Sequence, residues 1–158
     1  KRGETPNLDQ PLSRGTEVNL HLPALIPDTY LPDVHNRLVM YQRIANAEHN
    51  AALKELQVEM IDRFGLLPEQ IKNLFRQNRL KLRAQAIGVT RIEASAGSGR
   101  IEFGSNTQVD TMTLVKLVQT QPKHFRFEGG SSLRFSLAME KTETRFQRME
   151  DLIKQLSK

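Results

Sequence analysis

The sequence of 158 residues contains no cysteine, no tryptophan and only two tyrosines. Without cysteine there is no disulfide framework, no thiolate zinc site and no thiol nucleophile, and a reducing, intracellular compartment is the expectation. The four histidines, His21, His35, His49 and His124, do not restore a metal site. No two stand at the i, i+4 spacing that sets a pair of imidazoles on one helix face, so each is expected at the surface or as a cap. No run approaches the ~18 consecutive apolar residues of a membrane span. The opening Lys1-Arg2-Gly3-Glu4 also lacks an apolar signal region, so the expectation is a soluble, cytoplasmic protein with no membrane partner. The sequence starts without Met and in polar residues, which suggests a segment of a longer chain.

What is present suffices for an ordinary globular fold: 38% of residues are hydrophobic and 26% charged. A chain of this length buries roughly 70% of its unfolded surface in one core, so a single domain over 18–158 is the expectation. Residues 1–17, rich in Gly, Pro, Ser and charge without apolar period, are expected to be a linker or connecting arm. The net charge of +5 divides into −2 over residues 1–64 and +7 over 65–158, a hint of an acidic partner or of opposed charged faces.

Val18–Leu22 alternates apolar and polar, as a half-buried strand does, and Pro23 stops it. Ile26-Pro27 and Leu31-Pro32 then favour an extended apolar segment. After Asp33, Val34, Leu38, Tyr41 and Ala45 predict one helical stripe ending near Ala47. Asn50 is expected to cap a second helix, with Leu53, Leu56, Met60, Ile61 and Phe64 on one side and Gly65 as a left-handed cap. Pro68 starts a third helix carrying Ile71, Leu74, Phe75 and Leu82, which Gly88 ends. From residue 89 the period becomes two. Val89–Ala94 and Arg100–Phe103 flank a flexible connection over 95–99, and Phe125 and Phe127 alternate before Gly129-Gly130, with Leu133, Phe135 and Leu137 after it. Between these hairpins Asp110 caps a helix over 111–121 with Met112, Val115 and either Val118 or Leu117 inward. A tail helix carries Met139, Thr142, Phe146, Met149, Ile153 and Leu156. The predicted fold class is α+β: a helical pair and a third helix, packed with a small antiparallel sheet of two hairpins, and a C-terminal amphipathic helix.

No catalytic residues, metal site or cofactor site emerge. Gly97-Ser98-Gly99 followed by Gly104 resembles a phosphate loop only superficially, because strands flank it and no helix or Lys-Ser/Thr pair follows. No serine lies in Gly-x-Ser-x-Gly. Glu140 and Glu143 beside Lys141 and Arg145 suggest helix-surface pairing. Two charged stripes remain. Glu55, Glu59 and Asp62 stand at i, i+4 and i+7, within a fan of about 60° opposite the apolar set. Such a stripe is either a solvated face or a seat for arginines, whose planar guanidinium groups bind carboxylates through two bonds. On the third helix Lys72, Arg76, Arg79 and Arg83, with Lys81 nearby, form a basic stripe suited to a solvated face or to non-specific contact with phosphates.

The run Ile26-Pro27-Asp28-Thr29-Tyr30-Leu31-Pro32-Asp33-Val34, then Arg37-Leu38 with Tyr41-Gln42-Arg43-Ile44-Ala45, then Val58-Glu59-Met60-Ile61-Asp62-Arg63-Phe64-Gly65-Leu66-Leu67-Pro68, resembles the C-terminal domain of bacterial transcription-repair coupling factors, the Mfd family. The resemblance extends through Leu82-Arg83 and Ile87-Gly88 to the helix over 111–121, and past residue 122 only the hairpin and tail-helix pattern matches. It implies a parent that is an ATP-driven DNA translocase of the helicase family, which displaces stalled RNA polymerase from duplex DNA and recruits UvrA, with ATPase motifs upstream of this segment. It implies that this domain is non-catalytic and autoinhibitory, docking on the UvrA-binding module of the same protein in competition with UvrA. By position in the motif, Glu59 and Asp62 are expected to face arginines of that module, and helical geometry adds Glu55. The rival expectations are an accessory non-specific nucleic-acid-binding domain using Lys72, Arg76, Arg79 and Arg83, and an enzyme with an unrecognised site.

Overall fold

The computed structural model describes residues 15–157, so the connecting arm expected over 1–17 lies, through residue 14, outside the described residues. Contacts divide these residues into two compact units, Leu22–Leu82 and the residues through His21 taken with Arg83 onward. The class is α+β, with five helices and a five-stranded sheet among the described residues.

In the unit Leu22–Leu82 the proline-rich segment is not extended throughout, against expectation: the N–H groups of Tyr30 and Leu31 both bond Pro27 O at 3.1 Å and close a turn over 27–31. Ile26 and Leu31 are buried in the core with Met40, Ile44, Leu53, Met60, Ile71 and Phe75. The segment is pinned by side chains: the Tyr41 hydroxyl accepts from Ile26 N–H at 2.7 Å, and Arg37 Nη1 donates to Leu31 O at 2.8 Å. Helix α1, Val34–Ala45, starts at Asp33, whose carboxylate accepts from His35 N–H at 3.1 Å. The predicted stripe holds only in part: Tyr41 packs against the core and Ala45 is half-buried. Val34 and Leu38 are exposed, while Met40 and Ile44 are buried, because the face carrying these two residues and the stem of Arg37 meets the prolines and the second helix.

Helix α2, Asn50–Phe64, is capped by His49 and not by Asn50: the imidazole Nδ1 accepts from Ala52 N–H at 3.2 Å. The short connection over 46–49 leaves His49 in the extended conformation an N-cap needs, and Asn50 is already helical. Leu53, Leu56 and Met60 face inward as predicted, but Ile61 is 39% exposed. Gly65 follows at φ +106°, ψ −176°, which is not the expected left-handed cap but an extended, positive-φ conformation open essentially to glycine alone. With that ψ its carbonyl accepts from the Tyr30 hydroxyl at 2.8 Å. Helix α3, Glu69–Ala86, buries Ile71, Leu74, Phe75 and Leu80. Buried Asn73 donates to Pro23 O at 2.9 Å.

In the other unit the strands are β1 (Glu17–Asn19), β2 (Val89–Ala94), β3 (Ser98–Phe103), β4 (Phe125–Glu128) and β5 (Ser132–Ser136), ordered β1-β2-β3-β5-β4. The sheet is mixed and not purely antiparallel: β1 pairs parallel to β2, which the long intervening chain permits. The strand expected over 18–22 stops at Asn19 because His21 takes φ +53° and its N–H bonds the Asn19 side chain at 3.1 Å, a local turn that competes with the ladder. Ile92, Ile101, Leu133 and Phe135 are buried on one face. The other face carries ion pairs such as Arg134–Glu128 at 2.9 Å and Arg100–Glu128 at 3.1 Å.

The glycine run is not a wholly flexible connection. β3 begins at Ser98, and Gly99 lies opposite Phe135, whose ring sits where a Cβ would be, 2.4 Å from that position. Helix α4, Thr111–Thr120, buries Leu114 and Leu117. Met112 is 76% exposed, against expectation, since the Leu114–Leu117 edge is the one that meets the core. Helix α5, Thr142–Leu156, buries Phe146, Met149, Ile153 and Leu156 as predicted. It also buries Arg145, which does not belong to a surface pairing with Glu140 or Glu143. Its guanidinium donates to Met139 O at 2.9 Å, Leu20 O at 2.9 Å, His21 O at 3.2 Å and Glu140 O at 3.2 Å.

Candidate functional site

The two charged stripes come from the successive helices α2 and α3. On α2 the buried Leu53, Leu56 and Met60 fix the orientation of the helix, and at 100° per residue Glu55, Glu59 and Asp62 take the opposite side. Glu55 and Asp62 are exposed and form no ion pair among the described residues. Glu59 is different. Arg43 of α1 bonds it through both terminal nitrogens, Nη1 at 2.7 Å and Nη2 at 2.8 Å, and Arg63, one turn on, adds a contact of 3.0 Å. The Arg43 and Arg63 hydrogen bonds hold the Glu59 carboxyl down to about 2, so it stays ionised throughout the neutral and mildly acidic range. Arg63 also stacks over Phe64, 4.7 Å from the ring centroid.

Beside this stripe a groove of about 450 Å³ runs between α1 and α2, lined by Val39, Arg43, Glu55, Leu56 and Glu59 among others. Val39, which lines the groove, and Val58 are exposed. The surface therefore combines exposed aliphatic groups with carboxylates that still have open acceptor positions, a composition suited to arginine-bearing protein surfaces.

The basic stripe of α3 is not a uniform row. Lys72 is exposed, whereas Arg76 and Arg79 are half-buried and line a separate groove between α2 and α3. Arg79 Nη1 donates to Gln57 Oε1 at 3.3 Å, Lys81 reaches Ala45 O at 3.5 Å, and Arg83 belongs to the other unit. His49 is a cap. His21 lies 3.5 Å from Glu93, His124 Nδ1 lies 2.9 Å from Ser136 O, and His35 is exposed. Among the described residues no group of three or more His, Asp or Glu side chains is placed to hold a metal ion, and no helix is long and apolar enough to cross a membrane.

The residue the sequence did not single out is Arg43. It stands within the family motif, but its partner lies sixteen positions away on the next helix, so i, i+4 spacing did not reveal the contact. The contact from Arg63 to Glu59 was legible, being an i, i+4 pair on one helix.

The TRCF domain family matches residues 20–114. The chain is 38% identical over 156 residues to the transcription-repair-coupling factor of Escherichia coli, covering 99% of the chain and 14% of that protein. It is 39% identical over 157 residues to the transcription-repair-coupling factor of Haemophilus influenzae, again covering 99% of the chain and 14% of the relative. The chain thus spans a small part of the relatives it matches. The fold is similar to a crystal structure of the C-terminal domain of transcription-repair coupling factor, with a TM-score of 0.73 at 23% identity, covering 90% of this chain and 91% of that one. The chain belongs to the TRCF domain family of transcription-repair coupling factors.

Proposed function

We propose that residues 18–158 are a non-catalytic regulatory domain of a transcription-repair coupling factor, and that they dock on the UvrA-binding module of the same protein and mask it. The parent is then a cytoplasmic ATP-driven DNA translocase that displaces stalled RNA polymerase and recruits UvrA in DNA repair. The observation that carries this reading is the outward face of α2, where exposed Glu55 and Asp62 flank a Glu59 carboxylate that Arg43 and Arg63 keep ionised. Such a face attracts arginines without requiring a large apolar interface. Tethering within one protein raises the effective concentration to the millimolar range, so a weak contact keeps the site covered and still releases it.

The test is the affinity of UvrA for the full-length protein with and without residues 18–158. Masking requires that removal strengthen UvrA binding, and equal affinities would refute it.

A further inference from the structure

We propose that the polar face of the sheet, at its β4–β5 end, holds a single hydrogen-phosphate group between Arg126, Arg134 and Lys123. In the strand register Arg134 of β5 stands directly opposite Arg100 of β3 on one side and Arg126 of β4 on the other. Three arginines thus form one row across the sheet, about 4.8 Å apart from strand to strand. Like charges directly opposite one another destabilise a ladder. Glu128 relieves two of them, with contacts of 3.1 Å to Arg100 and 2.9 Å to Arg134. Arg126 is exposed, and its guanidinium has no partner among the described residues. Arg134 reaches Glu128 through Nη1, so its Nε and Nη2 donors remain open.

Beside this row the face opens into a recess of about 200 Å³, whose lining includes Lys123, His124, Arg126, Arg134 and Ser136 and, among the described residues, no carboxylate. Lys123 is exposed and likewise has no partner among the described residues. Ser136 N–H bonds His124 O at 2.8 Å, which continues the pairing one step past Arg126 and Arg134. Strand alternation therefore sets His124 and Ser136 on the arginine face. His124 Nδ1 lies 2.9 Å from Ser136 O. A carbonyl there only accepts, so Nδ1 carries the ring proton and Nε2 of the neutral imidazole is an acceptor.

The recess thus combines two guanidinium groups, an ammonium, a hydroxyl and one acceptor. Hydrogen phosphate matches that set: its charged oxygens take the donors, and its own hydroxyl donates to Nε2. A nucleic-acid backbone fits less well. Two residues along the same strands Glu102 and Glu128 occupy the same face, about 7 Å from the arginine row, where a continuous run of phosphates would meet them. None of these residues belongs to the acidic face of α2 proposed for masking.

The experiment is a titration of the 15N-labelled 158-residue chain with inorganic phosphate, at neutral pH and constant ionic strength, read from amide chemical shifts. The expected result is saturable shifts confined to residues 122–136 and the facing part of β3, with a Kd of about 1 mM or tighter. Arg126→Gln should weaken binding at least about fivefold and Ser136→Ala severalfold, while Lys72→Gln on α3 leaves it unchanged. Inorganic sulfate, alike in shape and charge but without a hydroxyl, should bind severalfold more weakly. Arg126 and Ser136 are exposed, so an unchanged remainder of each spectrum will show that the variants stay folded. Shifts that grow linearly or are matched by sodium chloride, indifference to Arg126→Gln, or equal binding of sulfate would each overturn the proposal. So would tighter binding of a short DNA duplex, per phosphate, that Arg126→Gln also weakens.

Discussion

Arg43 on α1 and Glu59 on α2 form a two-pronged ion pair, with both guanidinium nitrogens within 2.8 Å of the carboxylate oxygens. The pair fastens two helices that follow one another through the connection over 46–49 and share one core, and it places a fixed positive group inside what the sequence presents as a purely acidic stripe. Its first consequence is electrostatic: the net charge of the face depends on how firmly Glu59 stays ionised.

Stability should therefore respond to acid. The Glu59 carboxyl is lowered from 4.5 to about 2 by hydrogen bonds from Arg43 and Arg63. A folded-state value below the unfolded one means that its contribution is complete above pH ~5 and is lost as the pH falls from there toward 2. Glu59→Gln should remove that component. Urea denaturation from pH 7 to pH 2.5 at low salt will show a shallower fall for the variant than for wild type, and identical profiles would remove the pair from the account of stability.

Gly65 gives a sharper local test. At φ +106° nothing lies within 4 Å of where a Cβ would stand, so Gly65→Ala meets no clash and any cost is conformational. A side chain in this backbone region costs about 1–3 kcal/mol. Gly97→Ala, also with open space and without the positive φ, should be nearly neutral. Chemical denaturation of the two variants separates backbone strain from crowding, and equal effects would contradict the assignment.

Arg145 tests the other unit. Its buried guanidinium satisfies carbonyls of Leu20, His21, Met139 and Glu140, which joins the end of β1 to the start of α5. Removing it strands the buried acceptors of Leu20 and Met139 at about 1–3 kcal/mol each. Arg145→Ala should destabilise by about 3 kcal/mol or more, and Arg145→Lys should recover only part, since an ammonium lacks the planar fork. A loss under about 1 kcal/mol in thermal denaturation would mean that water replaces these bonds.

These residues also mark where the sequence is legible. Periodicity located the five helices and both hairpins of the described residues, because stretches of near-four period and of period two alternate from residue 89 onward. Phase was harder. On α1 two apolar series, Val34/Leu38 and Met40/Ile44, run along different edges, and only the position of the proline segment decides which is buried. On α4 the sequence leaves the choice between Val118 and Leu117 open, and the structure buries Leu117 together with Leu114. The acidic stripe was visible from spacing alone, whereas Arg43 was not, since a contact between helices depends on how the hairpin closes. Leu66 and Leu67 are adjacent and chemically identical, yet one is exposed and the other buried, and the unusual backbone of Gly65 immediately before them carries no signature beyond being glycine.

The final prediction separates the docking chemistry from the stability of the helix pair. Reversing Glu59 to Arg would place three arginines together at the seam of α1 and α2, so any gain in UvrA binding would be confounded by loss of structure. Glu55 and Asp62 avoid this, because both are exposed and neither forms an ion pair among the described residues. The double variant Glu55→Arg/Asp62→Arg should keep its thermal midpoint within a few degrees. If these carboxylates meet arginines of the UvrA-binding module, the reversal turns attraction into repulsion, and losing one partner of such a pair at an interface costs about 2–5 kcal/mol. Two such losses together match or exceed the few kcal/mol that separate the states of a reversible switch. In the full-length protein the double variant should bind UvrA nearly as tightly as protein lacking residues 18–158, whereas Leu66→Ser, on the other flank of α2, should not. A folded double variant with wild-type UvrA affinity, alongside a deletion that does strengthen binding, would leave masking intact but move it off the acidic face of α2.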